Sequence, residues 1–322
     1  EFSAKFPIPL LQLANLPIRK RLTLLIKEVN RFNPNIIISS GERPLWLGAV
    51  LKQLYQVPLL VIGHGTEFLQ AHYWKRSLTQ LALRQADQLI AVSEYTAKLM
   101  REYGDFKVHI IPNGADDNVF RPNLVTDELR GQLGLNGKRI LLTVGNVSER
   151  KAQDVVIRAL PEVVHSHPDV IYLVVGLPTR KKLLEDLAKD LGVSEHVRFT
   201  GVISQEMLPI YYNLCDLLVL VSRRVRKGSA EGYGIVVAEA ALCGKTAIVS
   251  DHGGLPEAVH HGMTGLVVPE ESPTETAAAI LELLRNEHYR TQLESEALRH
   301  ANQATWSQRI QAYDSILQEM VR

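Results

Sequence analysis

Short β-branched runs alternate with longer helical patterns along almost the whole chain. That alternation confines it to an α/β class in which parallel sheets are covered by helices. In the first half, strands are expected at 35–39, 58–63, 88–93 and 108–113, with helices at 19–32, 45–55, 73–85 and 94–103. Ser93 is a natural N-cap for the last of these, since its side-chain oxygen accepts a free helical N–H. The segment 120–138 has no strand pattern and reads as a connection between domains. A second alternation follows, with strands at 139–145, 170–176, 197–201, 217–222, 246–250 and 264–269. Its helices are expected at 152–165, 179–191, 205–213, 235–243, 254–260 and 273–286. A chain of 322 residues has room for two such domains, read as 1–122 and 123–305, with a helix over 306–322 running back across the first. A complete doubly wound domain usually opens with a strand and a glycine-rich turn. The first half is expected to lack that unit.

Within this frame the stretch EGYGIVVAEAALCG (231–244) carries the most chemistry. From Ile235 to Leu242 it is apolar except for Glu239, so a helix buried on all sides is expected. A carboxylate inside such a helix must find a partner or lose its charge. Gly232 and Gly234 let the backbone approach a ligand and leave the first helical N–H groups free for an anion. One reading is a nucleotide, its phosphates on the helix start and its ribose diol on Glu239. The other is a core glutamate satisfied by backbone.

Ligands of open parallel sheets bind beyond the carboxyl ends of the strands, and several polar residues fall there. The loop 145–151, GNVSERK, places Asn146, Arg150 and Lys151 after a strand, where cations reach a diphosphate or stay solvated. It is neither a Walker A loop nor a dinucleotide fingerprint. His64 stands between two glycines after strand 58–63, with Glu67 as its candidate orienting partner or as a cap. In DHGG (251–254) two glycines precede a helix carrying Glu257 on its first turn, a ligand loop or an ordinary turn. Arg223, Arg224, Arg226 and Lys227 run up to Glu231, as a solvated loop or as a contact for an anionic partner.

Composition removes other classes. The formal net charge of +1 gives no reason to expect nucleic acid. Through Phe120 there are 14 Lys+Arg against 10 Asp+Glu, and in the remainder 22 against 25, so a mildly basic first part precedes a mildly acidic second. Cys215 and Cys243 sit in apolar runs and read as reduced core residues, which suits the cytosol. No apolar run is long enough to span a membrane, and no signal peptide is visible. With no H-x-x-x-H pair and no D-x-D motif, no metal site is expected.

Several of these stretches together resemble the retaining GT-B glycosyltransferases of family 4. EGYGIVVAEAALCGKTAIVSDHGGLPEAVHHGMTGLVV is similar to their C-terminal signature, with two glutamates separated by seven residues, a G-G-x-x-E loop and a T-G turn. SEYTAKLM and VHIIPNGADDNVFRPN are similar to the end of their first domain, and VGNVSERKAQDVVIRALPEV to the opening of their second. The resemblance implies two Rossmann-like doubly wound domains facing an interdomain cleft, in a chain that is N-terminally incomplete. It implies that Glu239 holds the ribose hydroxyls and Glu231 the donor sugar. The amides of Gly234, Ile235 and Val236 would receive the diphosphate with Arg150 and Lys151. Thr200, Gly201 and Val202 would lie near the base, and His64 would face the sugar. Asn146 stands where many members carry Arg.

The expected activity is metal-independent, retaining transfer from a nucleotide sugar, with UDP favoured, and with no cofactor. The acceptor is expected to be a saccharide or lipid-linked saccharide in polysaccharide or glycoconjugate synthesis. The expected location is cytoplasmic, with peripheral contact at the inner membrane face. A nucleotide-sugar epimerase and a catalytically silent nucleotide-sugar-binding protein are the alternatives.

Overall fold

A computed structural model describes residues 13, 16–69, 72–225 and 228–321. Among them the strands form two all-parallel sheets, one of four and one of six. The first takes β1 (Ile37–Ser40), β2 (Leu59–Gly63), β3 (Gln88–Ala91) and β4 (His109–Ile110) in that order. Their companion helices are α1 (Ile18–Phe32), α2 (Glu42–Tyr55), α3 (Tyr73–Leu83) and α4 (Glu94–Arg101). Side chains alternate across a strand, so Leu59, Val61, Leu89 and Ala91 share one face. There they pack against Leu45 of α2, Leu83 of α3 and Met100 of α4.

The connection carries α5 (Asp127–Gln132). The second sheet takes β5 (Arg139–Val144), β6 (Val170–Val175), β7 (Val197–Gly201), β8 (Leu217–Leu220), β9 (Ala247–Ser250) and β10 (Gly265–Val268). Helices α6 (Gln153–Ser166), α7 (Lys181–Asp190), α8 (Leu208–Leu214), α9 (Ile235–Leu242) and α10 (Leu255–Ala258) lie between them, followed by α11 (Pro273–Arg285), α12 (Glu287–Asn302) and α13 (Trp306–Val321). The strand order β10-β9-β8-β5-β6-β7 reverses between β5 and β8, which is the doubly wound arrangement. Loops leaving β5 and β8 therefore diverge and open a crevice at the carboxyl edge. Helix α13 returns to the first sheet. Its Tyr313, Ile316 and Leu317 cover Leu60, Ile90 and Ile111 on the face opposite α2.

Helix α12 lies outside the expected pattern. It is polar apart from a narrow buried stripe of Leu293, Ala297 and Ala301, and the Asn286 side chain caps it by accepting from the Tyr289 N–H at 3.0 Å. Such a stripe gives little amphipathic contrast. Helix α9 also differs from expectation. Val237, Ala240, Ala241 and Leu242 are buried, but Ile235, Val236 and Glu239 are only partly covered, because its first turn starts at the open carboxyl edge.

Candidate functional site

Two loops build the site at the switch point. The first leaves β5 through Gly145 and ends on Arg150 and Lys151 before α6. The second leaves β8 through the fully buried Ser222 and returns at Glu231 and Gly232 to start α9. The loops meet at one carboxylate. Glu231 Oε2 lies 2.9 Å from Lys151 Nζ, is ion-paired with Arg150, and accepts from Ser222 Oγ at 3.2 Å. Both Glu231 and Lys151 are almost shut off from solvent, with side chains 12% and 8% exposed.

Two cations on one carboxylate leave a positive charge uncompensated. Burial by itself would raise the Glu231 carboxyl, but Lys151 and then Arg150 outweigh it and hold it below the ordinary carboxylate range. Lys151 is the less well compensated partner. Burial pulls its ammonium down, Arg150 pushes the same way, and Glu231 opposes both. A dry, pre-aligned positive charge of this kind is suited to an anion.

Gly234, at φ +85°, begins α9, and a Cβ there would sit 2.6 Å from Leu255 Cδ2. The first-turn N–H groups of Ile235 and Val236 lack an intrahelical acceptor, as at any helix start. About one turn further, Glu239 Oε2 accepts from the Tyr212 hydroxyl at 2.6 Å. Burial raises the Glu239 carboxyl above its ordinary range, and the Tyr212 hydrogen bond partly counters that. The partner of Glu239 is thus a side chain and not the backbone that a core glutamate was expected to use, and the residue is half-covered.

The other expected residues are spread along the same edge. Asn146 is exposed, and its carbonyl accepts from Gln153 Nε2 at 3.2 Å. Thr200 and Gly201 end the edge strand β7, held level with β6 because the Gly176 N–H donates to the Gly201 carbonyl at 2.9 Å. Val202 just beyond is 70% exposed. These three stand at the end of the edge strand, two strands over from β5, whose loop carries Arg150 and Lys151.

His64 approaches from the first domain. Its ring is exposed after β2, with Nε2 2.7 Å from Ser40 Oγ at the end of β1. Glu67 does not orient the ring: its Oε1 accepts from the His64 main-chain N–H at 2.6 Å and so holds the turn. The His64 carbonyl packs so closely on Gly232 that a Cβ there would run into it. That contact sets His64 beside the loop carrying Glu231. Ser93 caps α4 as expected, accepting from the Thr96 N–H at 3.0 Å.

The basic run is not a solvated set of four. Arg223 pairs with Asp154 at 2.7 Å and Glu271 at 3.3 Å, because it turns back onto α6 and the turn after β10, and of the two described residues of the run Arg224 is the exposed one. Arg226 and Lys227 lie outside the described residues. Among the described residues no three His, Cys, Asp or Glu side chains are gathered to hold a metal ion, and no helix is long and apolar enough to cross a membrane.

Sequence reasoning missed Ser40 and Tyr212. Each reaches its partner across the sheet or from a neighbouring helix, and no local pattern marks such a contact. Tyr212→Phe removes the hydrogen bond that favours the ionised form of Glu239. The carboxyl should then titrate at higher pH than in the parent. If ionised Glu239 binds nucleotide, affinity is lost as pH falls through that value, so the loss should begin at higher pH in the variant. Calorimetric titration with nucleoside diphosphate across pH checks this, and coincident pH profiles would count against the role.

Known proteins agree with this architecture. Residues 125–300 match the family model of the glycosyl transferases group 1, and residues 2–119 match that of Glycosyltransferase Family 4. A D-inositol 3-phosphate glycosyltransferase of Nocardiopsis dassonvillei is 34% identical over 241 residues, 71% of this chain and 54% of that protein. A GDP-mannose-dependent alpha-(1-6)-phosphatidylinositol monomannoside mannosyltransferase of Mycolicibacterium smegmatis is 34% identical over 203 residues, 62% of this chain and 53% of that one. The chain thus spans about half the length of the curated relatives it matches. Anabaena HepE, solved in complex with UDP and glucose, superposes with a TM-score of 0.88 at 24% identity, covering 99% of this chain and 88% of its own. Sucrose-phosphate synthase from Thermosynechococcus elongatus gives 0.82 at 22% identity, covering 98% of this chain and 81% of its own. With two parallel-sheet domains arranged as in these GT-B structures and a family model covering more than half of its length, the chain belongs to the glycosyl transferases group 1, within glycosyltransferase family 4.

Proposed function

We infer that this chain is a metal-independent, retaining glycosyltransferase that moves a sugar from a nucleotide donor to a hydroxyl of a saccharide or lipid-linked saccharide. The observation that carries the reading is the Arg150–Lys151–Glu231 cluster, which stands beside the start of α9 and faces His64. A diphosphate arriving there draws on Arg150, Lys151 and the first amides of α9. Positive charge then stands where the leaving group develops its negative charge, without a metal. Glu239 takes the ribose hydroxyls one turn further on. The bond from the anomeric carbon to the diphosphate oxygen breaks, and the acceptor oxygen bonds to that carbon on the same face. Its proton passes to a leaving phosphate oxygen. His64, steadied by Ser40, positions the sugar.

UDP is the first choice of base carrier, supported by the UDP in the HepE complex. GDP is the second, supported by a relative that is GDP-mannose-dependent. Contact with a lipid-linked acceptor at a membrane face belongs to the same proposal, and the exposed Arg224 is the described residue of the basic run left to serve it.

Incubation with UDP- and GDP-sugars and a panel of saccharide and lipid-linked acceptors, read by mass spectrometry of the product, tests the reading. The expected result is one new glycoside with retained anomeric configuration. Epimer formation without any acceptor would favour the epimerase instead, and binding without turnover a silent protein. Turnover should persist in excess EDTA. Loss on chelation, restored by Mg²⁺ or Mn²⁺, would contradict the metal-free route.

A further inference from the structure

The loop carrying Glu231 is clasped from the first domain by a contact that lies outside the donor site. Glu257 was expected to favour its own helix, α10. Instead its carboxylate crosses to the first domain, where Oε2 accepts from the Glu94 N–H at 2.6 Å and Oε1 from the Tyr95 N–H at 2.8 Å. These are the opening amides of α4, so a full negative charge from one domain caps a helix of the other. Both bonds are charge-assisted and complement the helix dipole.

Three further contacts lie beside this cap. Ser93 Oγ donates to the Gly232 carbonyl at 2.7 Å. The Tyr95 ring lies 6.4 Å from that of His252. The Gly254 N–H, on the loop that leads into α10, donates to the Glu231 carbonyl at 2.9 Å. Gly232, Gly253 and Gly254 permit this fit, since a Cβ on any of them would strike the main-chain carbonyl of His64, Glu231 or Gly232 respectively. One short path thus joins the cap on α4 to the carboxylate held by Lys151 and Arg150.

We propose that Glu257 is a positioning residue that latches the first domain onto the donor loop, holding His64 at Glu231 in the closed arrangement. That closure serves transfer rests on the function inferred above, whereas the latch itself does not. With Glu257 removed, the α4 amides turn to water and the domains part. Gln retains one acceptor oxygen but turns an NH₂ donor toward the second amide, so half of the clasp remains.

The test uses the whole chain with spin labels at Arg84→Cys in the first domain and Lys189→Cys in the second, both exposed positions, while Cys215 and Cys243 are buried. Glu257→Ala should shift the interdomain distances to longer, broader values, with Glu257→Gln between it and the parent. Gly232→Ala provides an independent variant, because the added methyl should wedge the domains apart with Glu257 intact. Distances unchanged in Glu257→Ala would overturn the latch. Once a turnover assay is in hand, kcat in Glu257→Ala should fall by about ten- to a hundredfold. Its affinity for UDP or GDP should hold, because the nucleotide binds on the second domain. An unchanged kcat beside lengthened distances would reject the positioning role and leave the inferred function standing.

Discussion

Glu231→Ala is expected to abolish transfer and to destabilise the fold by about 3 kcal/mol, the scale for removing one partner of a buried ion pair. The effect is large because of what stays behind. Lys151, with a side chain 8% exposed, would keep an ammonium out of water with Arg150 beside it and no carboxylate between them. The same substitution should leave affinity for UDP or GDP intact or tighter, since both cations become fully available to a diphosphate. Urea unfolding reads the first effect and calorimetry the second. Equal losses of nucleotide affinity and transfer would mean that Glu231 belongs to the nucleotide site and not to the sugar site.

Glu239→Ala should weaken binding of the nucleoside diphosphate by roughly tenfold to a hundredfold, because hydrogen bonds to a charged acceptor contribute about 1.5–3 kcal/mol. The loss falls on affinity, with a further cost of about 1–3 kcal/mol to the fold from the stranded Tyr212 hydroxyl. Tyr212 is left with its hydroxyl buried but keeps its ring packed edge-on against Phe120, with centroids 5.8 Å apart. Calorimetry with UDP and with GDP reads the effect, and a similar factor is expected for each, because both nucleotides carry the same ribose diol. Unchanged affinity for both would remove Glu239 from the ribose role.

What could be read from the residues was what repeats locally. Strand cores such as Leu59–Gly63 and Leu217–Leu220 announce themselves because a strand buried on both faces is an unbroken β-branched and aliphatic run. The glycines around Glu231 and the carboxylate inside an apolar helix are local contradictions, and both lie at the site. Helix α12 escaped notice because its buried stripe is a single row of three residues in a polar sequence. The pairings escaped for a different reason. Ser40 on His64, Tyr212 on Glu239 and Glu257 on α4 join residues that the fold alone brings together. Glu67 shows the converse, since it takes the His64 main-chain N–H and not the ring that proximity in sequence suggested.

Helix α13 has a consequence for how the protein is made. On the ribosome, Leu60 and Ile90 on their strands and Ile111 just after β4 emerge long before Ile316 and Leu317, which cover them. The first sheet therefore cannot finish its core as it emerges, and one apolar face waits for a segment that follows the whole second domain. Until then that face is open to nascent-chain aggregation or to chaperone capture. A piece ending at residue 122 would keep it open for good, so the two domains are separable in architecture but not in biosynthesis.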